Sequence, residues 1–285
     1  MDARRDTPPV ERARPVGRLL LPAALLTGTA AAIAGLAPGG LGDPDPVRVS
    51  TGPSAEMYRS VASLVAGTPE WAYPIVALAA EAVIVVLLLA VALLWWVRRH
   101  ESGVPRGLLL TLAGTTATYA ISEAVKLVVD EERPCRAVPG VGPIPDCPAI
   151  GDWSFPSNHT TVAAALAVGL VLVRWRLWPV LLLAVAAAAL RVAGGVHYPH
   201  DVLAGAILGG GGTAALLVLA GFGRPAAAGQ KHTETPSAGH KRANTPSAGR
   251  TRAGTPAVDA PPGTARPVSG WRRRGRAAAR TRERS

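Results

Sequence analysis

Three short polar clusters lie between long apolar runs in a chain of 285 residues, 49% of them hydrophobic. They read "KLVVDEERP", "FPSNHT" and "LRVAGGVHYPHD", and each stands beside a long apolar run. Breaking a phosphate ester without a metal ion requires cations for the phosphate oxygens, a nucleophile on one side of phosphorus and an acid on the other. The clusters supply candidates for all of these groups: Lys126, Arg133, Ser157, Asn158, His159, Arg191, His197 and Asp201.

The cations and the residues before the second apolar run suit an anion for different reasons. Arg133 and Arg191 offer forked pairs of N–H donors that match phosphate oxygens, and Lys126 adds a compact positive charge. Ser157 and Asn158 stand where a helix is expected to begin, and the free N–H groups of a helix start favour negative charge. Together these residues predict a phosphate cage.

Six apolar runs, each close to the length of a bilayer-spanning helix, position the clusters. They lie at about residues 19–37, 75–97, 107–129, 159–175, 177–193 and 202–222. The expected fold class is therefore all-α: an integral membrane bundle of six transmembrane helices with a disordered basic C-terminal tail. The run at 19–37 follows five arginines and also fits a signal peptide, but proline stands where cleavage would be needed.

A soluble helical protein is the alternative to a membrane bundle. It fits poorly, because the run at 75–97 has no polar face and carries one charge, Glu81. This glutamate is expected to pair with a polar group inside the bundle.

The net charge of the chain comes from its C-terminal end. Residues 223–285 hold 14 Lys or Arg and 3 acids, whereas residues 1–222 hold 16 of each sign. This tail has a ten-residue repeat, "TPSAGHKRAN" and "TPSAGRTRAG", and few apolar residues, so it is predicted to be disordered. Its basic end suits nucleic acid or anionic lipid as well as plain solvation, and no specific nucleic-acid partner is expected.

Charge also orients the chain in the membrane. The segments at 1–18, 98–106 and 174–176 and the tail are basic, whereas those at 38–74, 130–158 and 194–201 carry more acid than Lys and Arg. By the positive-inside rule, both termini are expected in the cytoplasm and the polar clusters at the outer face of the plasma membrane. The chain then has three parts: a cytoplasmic segment at 1–18, a six-helix domain at 19–222 and the cytoplasmic tail at 223–285.

The spacings K-x6-RP, PS-x-H and R-x5-H-x3-D, in this order and at helix ends, resemble the signature motifs of type-2 phosphatidic acid phosphatases. Members of that family are six-helix membrane phosphatases of lipid phosphates, and the resemblance covers about residues 75–222. Two positions differ: Asn158 replaces the usual glycine, and Leu190 replaces the usual serine. Because asparagine tolerates left-handed backbone and neither position is charged or nucleophilic, activity is still expected.

The resemblance implies a role for each catalytic residue. His197 would attack phosphorus and form a phosphohistidine, Asp201 would hold the other ring nitrogen, and His159 would protonate the leaving group and then activate water. His200 is an alternative nucleophile, but the R-x5-H spacing selects His197. Neither a cofactor nor a metal ion is implied.

The expected function is hydrolysis of a lipid phosphate or pyrophosphate. Polyprenyl pyrophosphate, phosphatidic acid and phosphatidylglycerophosphate are the candidate substrates, and the first is favoured because an outer-face site matches the release of a carrier lipid. One alternative is an oxidoreductase resembling the vanadate-dependent haloperoxidases, which share such a cage but are soluble. The other is a membrane protein that binds lipid phosphates without turnover. The sequence carries no signal for an oligomeric state.

The two cysteines of the chain, Cys135 and Cys147, stand in the loop "RPCRAVPGVGPIPDCP". This loop is expected outside, where disulfides persist, and the prolines and glycines between the cysteines favour a turn. A disulfide is predicted, with a loop-closure contribution of roughly 3 kcal/mol, and it would hold Arg133 near the cage. Two free thiols are the alternative, and two cysteines supply only half of a typical zinc shell.

Overall fold

The computed structural model describes residues 17–39, 45–69, 71–140 and 147–222. The predictions for the tail at 223–285, and for the N-terminal segment up to residue 16, lie outside these ranges. Within them the chain forms helices and loops, with one isolated parallel bridge between Val47 and Glu131 and no strand. The predicted all-α class is confirmed.

Eight α-helices and one short 3₁₀ turn account for the regular structure of the described ranges. They are α1 (Gly17–Leu36), α2 (Pro53–Val65), α3 (Ala72–Arg98), α4 (Val104–Lys126), α5 (Pro134–Ala137), α6 (Asn158–Val173), the 3₁₀ turn (Trp175–Leu177), α7 (Val180–Ala193) and α8 (Pro199–Leu219).

Six of these helices coincide with the predicted apolar runs. Five are long and apolar enough to cross a bilayer: α1, α3, α4, α7 with its preceding turn, and α8. The sixth, α6, is equally apolar but has only 16 residues. Trp71, Trp96 and Trp175 lie exposed near helix ends, as in the aromatic belts of membrane proteins. The chain is an integral membrane protein.

The apolar core lies around α6, which packs against α3, α4, α7 and α8. Large side chains of the core include Leu87 of α3, Leu108 of α4, and Leu166 and Leu170 of α6, all fully buried. Helix α6 is therefore the centre of the core, although its 16 residues are fewer than the ~20 that a helix needs to cross a bilayer.

Glycines bring the first half of α8 into backbone contact with the start of α6. A Cβ atom on Gly209 would lie 2.0 Å from the carbonyl oxygen of Thr161, and one on Gly205 would lie 2.5 Å from that of Ser157. Small residues of this kind let membrane helices approach closely. The close approach sets the second and third polar clusters side by side.

The short helix α2 was not predicted, because it is too polar for a membrane span and lies inside a segment interpreted as a loop. Its Tyr58 is fully buried. The Tyr58 hydroxyl donates to the carbonyl oxygen of Gly195 at 3.2 Å, and the ring packs against Tyr198 with 5.8 Å between centroids. Helix α2 therefore braces the α7–α8 loop that carries His197.

Candidate active site

All eight predicted site residues lie at one end of the bundle, because consecutive spans run in opposite directions. They stand at the end of α4 (Lys126), just before α5 (Arg133), at the start of α6 (Ser157, Asn158 and His159), near the end of α7 (Arg191), and at or just before the start of α8 (Asp201 and His197). The helix ends thus bring together residues that are up to 75 positions apart in the sequence.

His197 is buried, with 2% of the residue exposed, and its two ring nitrogens face different groups. Nδ1 lies 3.4 Å from Oδ2 of Asp201, and Nε2 lies 3.3 Å from Nη1 of Arg133. Burial lowers the pKa of His197 to about 3, with Arg133 adding to the shift and Asp201 opposing it. The ring is therefore neutral over the physiological pH range, as a nitrogen nucleophile must be.

Oδ2 of Asp201 is held by more than the histidine. It accepts a hydrogen bond from the backbone N–H of Tyr198 at 2.7 Å and another from the hydroxyl of Ser154. The Ser154 oxygen also lies 3.4 Å from Nδ1 of His197. Ser154, which was not predicted as a site residue, thus contacts both members of the histidine–aspartate pair.

Arg133 is fixed by the segment that precedes α6. Its Nε and Nη2 donate to the backbone and side-chain oxygens of Asp152, each at 2.8 Å, and its Nη1 donates to the carbonyl oxygen of Val196 at 3.0 Å. Only 4% of the side chain is exposed. Asp152 binds one edge of the guanidinium, and Nη1 on the other edge faces His197.

The predicted disulfide between Cys135 and Cys147 is present, with 6.0 Å between the two Cα atoms. It joins the start of α5 to the segment that contains Asp152. Because Arg133 is two residues before Cys135, both partners of the Arg133–Asp152 ion pair lie close to the bridge in sequence.

Lys126 and Arg191 supply the other positive charges. Nζ of Lys126 lies 3.2 Å from a carboxylate oxygen of Glu123, and its side chain is 9% exposed. Arg191 lies near enough to Arg133 and His159 for their charges to interact. Its buried Nε has no hydrogen-bond partner among the described residues. A buried donor of this kind favours an anionic ligand, since unpaired buried polar groups are costly.

Some polar groups at the start of α6 form hydrogen bonds to other parts of the protein. The N–H of Ser157 donates to the carbonyl oxygen of Asp201 at 3.1 Å. The side-chain amide of Asn158 donates to Glu123, and its oxygen accepts from the hydroxyl of Ser122 at 2.7 Å. The asparagine that replaces the family's usual glycine therefore links α6 to α4, and its expected phosphate contact falls to its backbone N–H.

His159 pairs with Glu81 of α3. Nε2 of the histidine lies 2.5 Å from a carboxylate oxygen of Glu81. The glutamate side chain is 59% exposed and that of the histidine 25%. The expectation that Glu81 pairs with a polar group of the bundle is confirmed, and the partner is a predicted catalytic residue.

His200 is held on both ring nitrogens by other residues. Nδ1 lies 2.6 Å from the Ser54 hydroxyl, and Nε2 lies 3.2 Å from Oε2 of Glu131 and 3.3 Å from Oδ1 of Asp201. Burial raises the pKa of Glu131 to about 8. In the part of the chain that the structure describes, Glu131, His200 and Asp201 form the one group of side chains close enough to hold a metal ion, with their ligand atoms within 4.8 Å of one another.

Residues 107–223 match the model of the PAP2 superfamily. This segment runs from the first turn of α4 past the end of α8 and contains all three polar clusters. The family resemblance predicted from those clusters is therefore confirmed over this segment, in a helical integral membrane protein. Helices α1 to α3, and with them Glu81, lie outside the matched residues.

A crystal structure described as the first transmembrane PAP2-type phosphatidylglycerolphosphate phosphatase, from Bacillus subtilis, is similar to this chain. The match covers 69% of this chain and 94% of the Bacillus chain, with 17% identity and a TM-score of 0.45. A search of curated proteins finds no significant match.

Proposed function

We propose that this protein is a membrane phosphatase that removes phosphate from a lipid phosphate or pyrophosphate through a phosphohistidine intermediate. The observation that carries the proposal is the approach of a neutral, buried His197 to Arg133, with 3.3 Å between Nε2 and Nη1. A nucleophilic nitrogen beside a phosphate-binding cation is what an attack on phosphorus requires. The PAP2 match over residues 107–223 supports a reaction of the same class.

In the first step, Nε2 of His197 attacks phosphorus. Asp201, held in place by Ser154 and the N–H of Tyr198, accepts a hydrogen bond from Nδ1–H of the ring and stabilises the positive charge that develops on it. Lys126, Arg133 and Arg191 neutralise the equatorial oxygens, which carry most of the charge of the transition state.

His159 acts on the opposite side of phosphorus. It gives a proton to the departing oxygen as the phosphohistidine forms, and it then takes a proton from the water that hydrolyses that intermediate. The donor and the acceptor are the same nitrogen, because the second step is the reverse of the first with water in place of the lipid.

The site lies at the ends of the membrane-spanning helices, which is the level at which lipid head groups lie in a bilayer. The alternation of basic and acidic loops assigns this end to the outer face, with both termini in the cytoplasm. His197 is favoured over His200 as the nucleophile, since Ser54 and Glu131 occupy both ring nitrogens of His200.

Purified protein incubated with a panel of lipid phosphates tests the function. The panel contains polyprenyl pyrophosphate, phosphatidic acid and phosphatidylglycerophosphate, and the readout is released phosphate. We expect turnover of at least one substrate, its loss by several orders of magnitude in His197→Ala, and a ³²P-labelled, acid-labile adduct on the wild-type protein that is missing in this variant. Because three cationic side chains surround the phosphate, activity should persist in EDTA.

Three results would contradict the proposal. Binding of the panel without phosphate release would support the non-catalytic alternative. Vanadate-dependent peroxidase activity without phosphate release would support the oxidoreductase. Full activity of His197→Ala would exclude this residue as the nucleophile, and the same experiment on His200→Ala would show whether the neighbouring histidine takes that role.

A further inference from the structure

Glu81 stands in an unusual place for a carboxylate. It is the only charged residue in the apolar run at 75–97, within the membrane-spanning helix α3. Charged side chains inside spans are costly, and they face the bundle interior or a water-filled cavity. Its carboxylate meets Nε2 of His159 at 2.5 Å. A helix outside the PAP2 segment thus contributes an acid to the pair, and the segment contributes the histidine.

The surroundings of the pair place it in the phosphate cage. Charges on Arg191 and Lys126 act on His159, and the charge on Glu81 acts on both His159 and Arg191. The Glu81 side chain is 59% exposed. The carboxylate therefore does not fill a buried position in the core, and its contact with His159 is the feature that needs an explanation.

We propose that Glu81 is a positioning residue that fixes the ring of His159 and its proton-bearing nitrogen. This inference rests on the proposed function, in which His159 exchanges protons with the leaving group and with water. By accepting a hydrogen bond from Nε2–H, the carboxylate keeps that proton on Nε2 and leaves Nδ1 as the nitrogen that exchanges protons. When the lipid departs, the ring is the imidazolium and its Nδ1–H gives a proton to the departing oxygen. The neutral ring that remains has its lone pair on Nδ1, where it accepts a proton from the attacking water.

The value of such positioning depends on the leaving group. An alkoxide leaving from a lipid phosphate monoester is strongly basic and needs a well-placed proton. A nitrophenolate leaves readily without one. Loss of Glu81 should therefore slow the first kind of substrate far more than the second, whereas general damage to the site would slow both alike.

Steady-state kinetics on phosphatidic acid and p-nitrophenyl phosphate test this difference in the full-length protein. For Glu81→Ala, we expect kcat to fall on the order of 10²-fold with phosphatidic acid and by less than about threefold with p-nitrophenyl phosphate. Glu81→Gln should recover part of the loss, because its amide oxygen can still accept the Nε2 proton. Glu101→Gln is the matched control: Glu101 pairs with Arg174 and Arg98 at the opposite end of the bundle, and its loss should change neither rate.

A second measurement does not depend on turnover. In protein labelled with ¹⁵N-histidine, with signals assigned by His159→Gln, we expect the Nε2–H tautomer of His159 in the wild type and a mixture of tautomers in Glu81→Ala. An unchanged tautomer would overturn the proposal, as would equal loss on both substrates or no loss on either. If wild-type protein releases phosphate from neither substrate nor from the wider panel, the proposed function falls, and the tautomer alone decides whether Glu81 positions His159.

Discussion

The carboxylate of Asp201 is fully buried, and its two oxygens face different groups. Oδ2 of Asp201 serves the Tyr198 N–H, the Ser154 hydroxyl and His197, while Oδ1 faces His200. The two hydrogen-bond donors on Oδ2 fix the oxygen that contacts His197. Burial of a carboxylate is tolerated only when hydrogen bonds replace its lost water.

The charge of Lys126 gives a prediction at this scale. Lys126→Ala should lower kcat/KM roughly 30- to 1000-fold, which corresponds to a loss of about 2–4 kcal/mol of transition-state stabilisation. The reason is that one of three cations is lost while the nucleophile is intact. Lys126→Arg keeps the charge and should lose less. Kinetics on the best substrate of the lipid panel decide the point, and a loss as large as that of His197→Ala would show that Lys126 has a role beyond charge.

The motif residues were predictable, and several of their partners were not. The resemblance to the family's third motif pointed to His197 and Asp201, and their i, i+4 separation near a helix start allows the two side chains to meet. Ser154 stands in a loop, where a serine has many ordinary roles, and only the folded chain shows its two contacts. Glu131 was one of several acids in an acidic loop, and no pattern distinguished it from Glu132.

At the scale of helices, the Gly209 contact between α6 and α8 can be tested directly. Gly209→Ala places a Cβ atom 2.0 Å from the Thr161 carbonyl oxygen, so the helices must separate. We expect a loss of roughly 1–3 kcal/mol in stability, read as a lower unfolding temperature in detergent, together with reduced turnover.

Gly28→Ala is the matched control for that substitution. Gly28 lies in the membrane-spanning helix α1, and a Cβ atom there would meet nothing within 4 Å. The alanine should leave turnover unchanged and the unfolding temperature unchanged or slightly raised, since alanine favours helix more than glycine does. Equal effects of the two substitutions would contradict a specific α6–α8 contact.

The sequence predicted the helices that face lipid better than the elements that do not. Long apolar runs with few charges predicted the five helices that are long enough to cross a bilayer and the shorter α6, because a bilayer requires every backbone group of a span to be satisfied within the helix. Helix α2 was not predicted. Its buried residues are Ala55 and Tyr58, and this buried face forms only when α7 and α8 are in place. The central position of α6 was likewise not evident, because its packing against four neighbours appears only in the folded chain.

At the scale of the whole molecule, the fold determines which helix ends lie together, and the distribution of charge predicts on which side of the membrane that end lies. The structure brings the polar clusters to a single end, as alternating spans predicted. The predicted side rests first on the distribution of Lys and Arg, since the loops at the other end, 98–106 and 174–176, are basic. The disulfide gives an independent argument, since such bonds persist in oxidising compartments.

Thiol labelling of intact cells tests that orientation. The bridge between Cys135 and Cys147 lies in the loop that holds Arg133 against Asp152, at the same end as the other site residues. If the bridge faces outward, as the loop charges predict, an impermeant maleimide should label the protein weakly in untreated cells and strongly after an impermeant reductant. Cys135→Ser combined with Cys147→Ser should abolish the label and, by opening the loop, lower the stability by roughly 3 kcal/mol in the chain-entropy model. Labelling only after the membrane is opened would place the site at the cytoplasmic face, where substrate would have to reach His197 from the inner leaflet.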